Sequence, residues 1–154
     1  MIYLEAPNKD QYDKEDYSFS LFLAGGITNC PDWQKDMLHL LADQSILIYS
    51  PRRKNFPIHN PNAAYEQIKW EFDYLAKADV ISFWFCKEIM CPIVLYELGR
   101  WANTKKKIFV GVDPLYPRRQ DVEIQLQLAR PDIEIVYDIN SLVDKIKAEG
   151  AQSV

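Results

Sequence analysis

The chain has 154 residues, the length of one ordinary domain, and 48% of them are hydrophobic, enough for a full core and too many for a disordered chain. With 18 Lys and Arg against 22 Asp and Glu, the net charge of −4 argues against a dedicated nucleic-acid binder. No apolar run approaches the ~20 residues of a membrane span. The opening MIYLEAPNKD lacks the basic and apolar segments of a secretory signal. The expectation is a cytoplasmic protein with neither a membrane nor a nucleic-acid polymer as partner.

Ile2–Leu4 can form a short edge strand, and the charged stretch that follows, to residue 17, reads as solvated loop. Ser18–Ala24 is apolar and aromatic and is closed by Gly25-Gly26, which predicts a buried strand ending in a tight turn. Pro31–Asp43 places Trp33, Met37, Leu40 and Leu41 on a helical stripe, with Thr28 or Asn29 as cap and Pro31 in the first turn. Ile46–Tyr49 is a second strand, stopped by Pro51. Residues 51–62 hold three prolines and no period, the pattern of a long loop.

Asn62–Lys77 predicts a helix with Tyr65, Ile68, Phe72, Leu75 and Ala76 on its core face. Trp70 and Tyr74 fall opposite that stripe. A helix apolar on two faces is buried twice, so this one is expected to pair copies of the chain as a dimer or larger homo-oligomer. Val80–Phe85 is a strand covered on both faces, Pro92–Thr104 a helix and Ile108–Val112 a strand. Arg119–Ala129, Ile133–Tyr137 and Ser141–Glu149 complete the order as helix, strand and helix. Such alternation means parallel βαβ units, hence one α/β domain over 1–154. The fold expected is a doubly wound, flavodoxin- or Rossmann-like sheet of about five strands with helices on both faces. Ligands of such folds sit beyond the carboxyl ends of the strands.

Cys30, Cys86 and Cys91 are odd in number, which reads as a reducing compartment, and Cys86 follows an aromatic strand as an inert buried thiol. Without CxxC or HExxH spacing, no metal site is expected, and GxGxxG is absent. The chemistry-bearing residues gather after the strands. Gly25-Gly26 lets backbone approach a sugar or phosphate. Arg52-Arg53 and Arg118-Arg119 follow strands on the same side and suit anion recognition. Glu97, near a helix start, would be favoured as an anion by the helix dipole; its competing reading is a surface pair with Arg100. Glu71 borders the apolar stripe, and Asp73 points more to solvent.

FLAGGI (22–27), QIKWE (67–71) with Ala78-Asp79, and YELGRWA (96–102) together resemble the nucleoside 2-deoxyribosyltransferase superfamily and the related deoxynucleoside-monophosphate N-glycosidases. Pro51-Arg52-Arg53 and the RRQDV stretch (118–122) fit a bacterial and phage-type branch of transferase-like proteins. The resemblance implies that Glu97 attacks the anomeric carbon of a deoxyribose. It implies that Glu71, where the family usually has Asp, orients the sugar or protonates the leaving base. Gly25, Gly26 and Ile27 would line the sugar or phosphate pocket, with Arg52, Arg53, Asp73, Cys91, Pro92, Arg118 and Arg119 as further substrate contacts. Phe22 stands where the family often has Tyr, and Cys91 where it has Asp or Ser. The implied activity is transfer of the sugar of a nucleoside or nucleotide to another base, without cofactor or metal. Hydrolysis of a nucleoside 5′-monophosphate and non-catalytic nucleotide binding are the alternatives.

Overall fold

A computed structural model describes residues 1–152. Its strands are β1 (Ile2–Glu5), β2 (Phe19–Gly25), β3 (Ile46–Ser50), β4 (Val80–Phe85), β5 (Lys107–Val112) and β6 (Ile135–Val136). Its helices are α1 (Trp33–Leu40), α2 (Ala63–Lys77), α3 (Pro92–Ala102), α4 (Arg119–Ala129) and α5 (Ile139–Gln152), with a short 3-10 turn at Lys14–Asp16. The strands form one sheet in the order β1-β3-β2-β4-β5-β6, and every pairing is parallel. This is a doubly wound α/β fold with six strands rather than about five. The edge strand foreseen at Ile2–Leu4 pairs with β3, Ile2 beside Leu47 and Glu5 beside Ser50.

Every residue of β3 and β4 is buried, as expected where helices cover both faces. α1 packs on α5, and α3 packs on α4. Between β2 and β4 the chain order reverses direction across the sheet, so the carboxyl ends of these two strands open onto a crevice. Their amino ends are tied by Asp79, whose carboxylate accepts from the Ser20 amide at 2.8 Å and hydroxyl at 2.7 Å. No helix among the described residues is long and apolar enough to cross a membrane.

α2 is turned from the expected orientation, although Leu75 of the expected core face is buried. Trp70 and Tyr74 lie in the core, while Tyr65, Ile68 and Phe72 are 72%, 65% and 53% exposed. The reason is ring packing. Trp70 stacks on Tyr74 at 4.3 Å, Tyr74 meets Tyr49 edge-on at 4.8 Å, and Trp70 lies 6.0 Å from Phe22. Large rings that bury together gain more than the smaller stripe would. The Trp70 indole also donates to the Asn8 carbonyl at 2.7 Å, so the N-terminal segment is docked rather than wholly solvated.

α1 starts later than expected, and its cap is Asp32, whose side chain accepts from the Lys35 amide. Residues 26–31 stay out of the helix because other bonds hold them as a loop. Cys30 is disulfide-bonded to Cys86, which corrects the reading of Cys86 as an inert thiol. Leu40 is 38% exposed, and Leu41 takes its place in the core.

Candidate functional site

The crevice beyond β2 and β4 is a cleft of about 240 Å³. Its walls include Phe22 and Gly25–Thr28 from β2 and its loop, Pro51 after β3, Glu71 from α2, and Ile89, Cys91–Val94 and Glu97 around the start of α3. Five of the residues singled out by motif, Glu71, Glu97, Cys91, Pro92 and Ile27, therefore meet here with both glycines.

The glycines are needed for close approach, since neither has a positive φ. A Cβ on Gly25 would lie 2.7 Å from the Trp84 carbonyl and collide with the Trp33 ring. One on Gly26 would lie 2.9 Å from the Cys86 sulfur and collide with that of Cys30. The turn is held from behind. The Trp33 indole donates to the Gly26 carbonyl at 2.9 Å. The Arg52 guanidinium donates to the carbonyls of Ile27 at 3.2 Å and Pro31 at 2.9 Å, and to the Gln34 side chain at 2.8 Å.

Arg52 thus supports the cleft wall and does not line the cleft. The structure brings none of the other three arginines there. Arg53 pairs with Glu66 at 3.2 Å, Arg118 with Asp121 at 2.9 Å, and Arg119 with Glu123 at 3.4 Å. Arg118 borders a separate groove of about 260 Å³ between α3 and α4. Asp73 is exposed and bound to Lys69 at 2.7 Å. The strand-end position of these residues was legible, but their side chains are taken up by local partners.

Glu71 and Glu97 approach the cleft from adjacent helices. The Gln67 amide, one helical turn before Glu71, donates to its carboxylate at 2.7 Å and to the Pro51 carbonyl at 2.8 Å. Gln67 is thus a positioning residue that the sequence reading passed over, although the i, i+4 spacing was its signal. Burial raises the affinity of Glu71 for its proton, and the Gln67 bond opposes the rise. Glu97 goes further, to about 8, pushed first by burial and then by the charge of Glu71, against a smaller opposing effect of Arg100.

The helix dipole does not make Glu97 an easy anion. It lies in the second turn of α3, beyond the reach of the first free amides, and desolvation dominates. Nor is Arg100 a surface partner that neutralises it. Its guanidinium stacks over the Phe72 ring at 4.4 Å and over Trp101 at 5.0 Å.

Phe22 and Cys91 complete the walls. Phe22 offers a ring and no hydroxyl. Cys91 precedes α3 with a left-handed backbone, φ 45°, and its sulfur lies 3.9 Å from that of Cys86. Burial pushes its thiol up, while the amides of Cys86 and Gly26 oppose the rise. The cleft can therefore hold an uncharged ring system between apolar walls, with two carboxyl groups that share a raised demand for protons.

Comparison with curated proteins finds no match. The family described as nucleoside 2-deoxyribosyltransferase like matches residues 18–116, from the start of β2 through β5 and its following loop. That span holds every wall of the cleft and both carboxyl groups, and the chain belongs to the nucleoside 2-deoxyribosyltransferase-like family.

Proposed function

We propose that this protein is an enzyme that cleaves the N-glycosidic bond of a (deoxy)nucleoside and passes the sugar to another base. The observation that carries the reading is the convergence of Glu71 and Glu97 in one cleft beside the glycine turn. Cleavage builds positive charge at the anomeric carbon, and a carboxylate placed there stabilises it and can bond to it.

In this reading a proton moves to Glu71, and the Glu97 carboxylate attacks the anomeric carbon. A carbon–oxygen bond forms as the carbon–nitrogen bond breaks. The bonding pair leaves with the base, which takes the proton from Glu71. A ring nitrogen of the acceptor base then attacks the same carbon, releases Glu97 and returns its proton to Glu71. Water in place of that base would give hydrolysis. Like-charged neighbours in an apolar site cannot both ionise readily, so one proton stays in the pair; at rest Glu97 holds it, and attack requires its transfer to Glu71.

Among the described residues no Lys or Arg lines the cleft, which favours an unphosphorylated nucleoside over a nucleotide. The test is incubation with deoxynucleosides and with their 5′-monophosphates, with and without a free acceptor base, read by chromatography. Base exchange on the nucleoside is expected. It should fall by at least about a thousandfold in Glu97→Ala, the usual scale for losing a nucleophile. Release without exchange would make the enzyme a hydrolase, and preference for monophosphates would reverse the substrate class. Nucleotide binding without turnover, unchanged in Glu97→Ala, would leave a binding module.

We also propose that a second copy of the chain docks on the exposed α2 face, Tyr65, Ile68 and Phe72, together with Ile93 and Tyr96 of α3. These are 53–72% exposed, and Ile93 also borders the cleft, so a copy seated there would roof it. Such a patch suits isologous pairing. Ile68→Glu is expected to shift sedimentation to the monomer; a monomeric parent protein would sink the idea.

A further inference from the structure

All three cysteines meet at one side of the cleft, Cys91 in its wall and the sulfurs of Cys30 and Cys86 behind Gly26, although they come from three segments. Cys30 lies in the loop after β2, Cys86 follows β4, and Cys91 precedes α3. Cys30 and Cys86 are bonded, and the free Cys91 sulfur sits 3.9 Å from Cys86. Cys86 and Cys91 are both buried, which sets this trio apart from surface thiols that meet external oxidants. The amides of Gly26 and Cys86 face the Cys91 sulfur and favour its thiolate, but burial and the Glu88 charge favour the thiol more, so the attacking form is reached on the alkaline side. Glu88 places a carboxylate oxygen within 4.8 Å of both sulfurs of the disulfide, a station for a moving proton.

We propose that these residues form an internal thiol–disulfide exchange site in which one disulfide moves between two positions. The Cys91 thiolate attacks the Cys86 sulfur. A Cys86–Cys91 bond forms as the Cys30–Cys86 bond breaks, and the bonding pair goes to the Cys30 sulfur. Cys30 gains a proton and Cys91 has lost one. No electron enters or leaves the protein, so no oxidant or reductant is consumed.

The two positions tie the cleft differently. With Cys30 bonded, the loop carrying the glycine turn is fastened to the end of β4. With Cys91 bonded, the fastening runs to the first residue before α3, the helix of Glu97, and the loop after β2 is held by the Trp33 bond to Gly26 and the Arg52 bonds to Ile27 and Pro31. Exchange therefore selects which wall of the cleft is held. It needs no sugar chemistry, and its test is independent of any turnover.

The experiment maps free thiols in the intact, unreduced protein. Samples held at mildly alkaline pH are quenched in acid, unfolded, alkylated with a maleimide and digested for mass spectrometry. Label is expected on both Cys91 and Cys30, with Cys86 always bonded. The Cys91→Ser protein should lose the Cys30 label and keep its disulfide. The Cys30→Ser protein, treated with glutathione disulfide, should form Cys86–Cys91. Label confined to Cys91 at all times overturns the proposal, and so does label on all three residues. The parent protein alone decides between these outcomes, so a variant that fails to fold does not blunt the test.

Discussion

Replacing Glu97 by Gln should stabilise the protein at neutral and alkaline pH and leave it unchanged in mild acid. The carboxyl is held protonated to about 8 against 4.5 for the free group. At ~1.4 kcal/mol per unit, that gap sets a cost on the order of 5 kcal/mol for ionising it in the cleft. Native protein keeps this proton through a range where the unfolded chain has released it. The unfolded state then binds fewer protons, so stability falls as pH rises from about 4.5 to about 8 and is flat beyond. Glu97→Gln removes that decline. It also removes one charge beside Glu71, which then ionises more readily. Urea unfolding of both proteins should give curves that coincide near about pH 4 and diverge with rising pH, by up to several kcal/mol above about pH 8. A difference that does not change with pH would refute the assignment of Glu97 to a desolvated, carboxyl-flanked position.

The same coupling predicts a kinetic shift. The reactive form holds one proton in the pair, so kcat/KM should fall as pH rises through about 8, and Glu71→Gln should remove that falling limb while reducing the maximum rate. A pH–rate profile checks both. Arg52→Ala should cost about 1–3 kcal/mol in urea unfolding and raise KM more than it lowers kcat, because it releases carbonyls behind the glycine turn. Arg52→Lys should not rescue it, since one ammonium cannot span the same carbonyls. Gly25→Ala should cost at least about 2 kcal/mol in thermal unfolding, because the new methyl meets the backbone carbonyl of Trp84, which cannot swing away.

The strand–helix order was legible because the central strands are short apolar runs, β2 closed by Gly25-Gly26 and β3 by Pro51, and the helices carry apolar stripes. β4 and α4 have the bounds expected for them. α2 was legible as a helix but not in its orientation. Tyr65, Ile68 and Phe72 make as good a stripe as Trp70 and Tyr74, and only the rings of Phe22 and Tyr49 across the sheet decide between them. Spacing alone also could not say where an arginine side chain goes: Arg52 turns toward loop carbonyls and Arg53 toward Glu66. The pairing of Cys30 with Cys86 joins residues 56 apart, a proximity created by the β2–β4 ladder and invisible in a count of cysteines.

Arg100 bridges α2 and α3 through its stack on Phe72, and it is the cation that opposes the proton affinity of Glu97. It is exposed, whereas the two carboxyl groups that repel one another are largely shielded from solvent. Dissolved ions screen exposed charges far more than sheltered ones. Added salt therefore weakens the help that Arg100 gives and leaves the repulsion mostly intact, so the ionisation of Glu97 becomes harder as ionic strength rises. The cleft is thereby coupled to the electrolyte around it through a residue that never enters it.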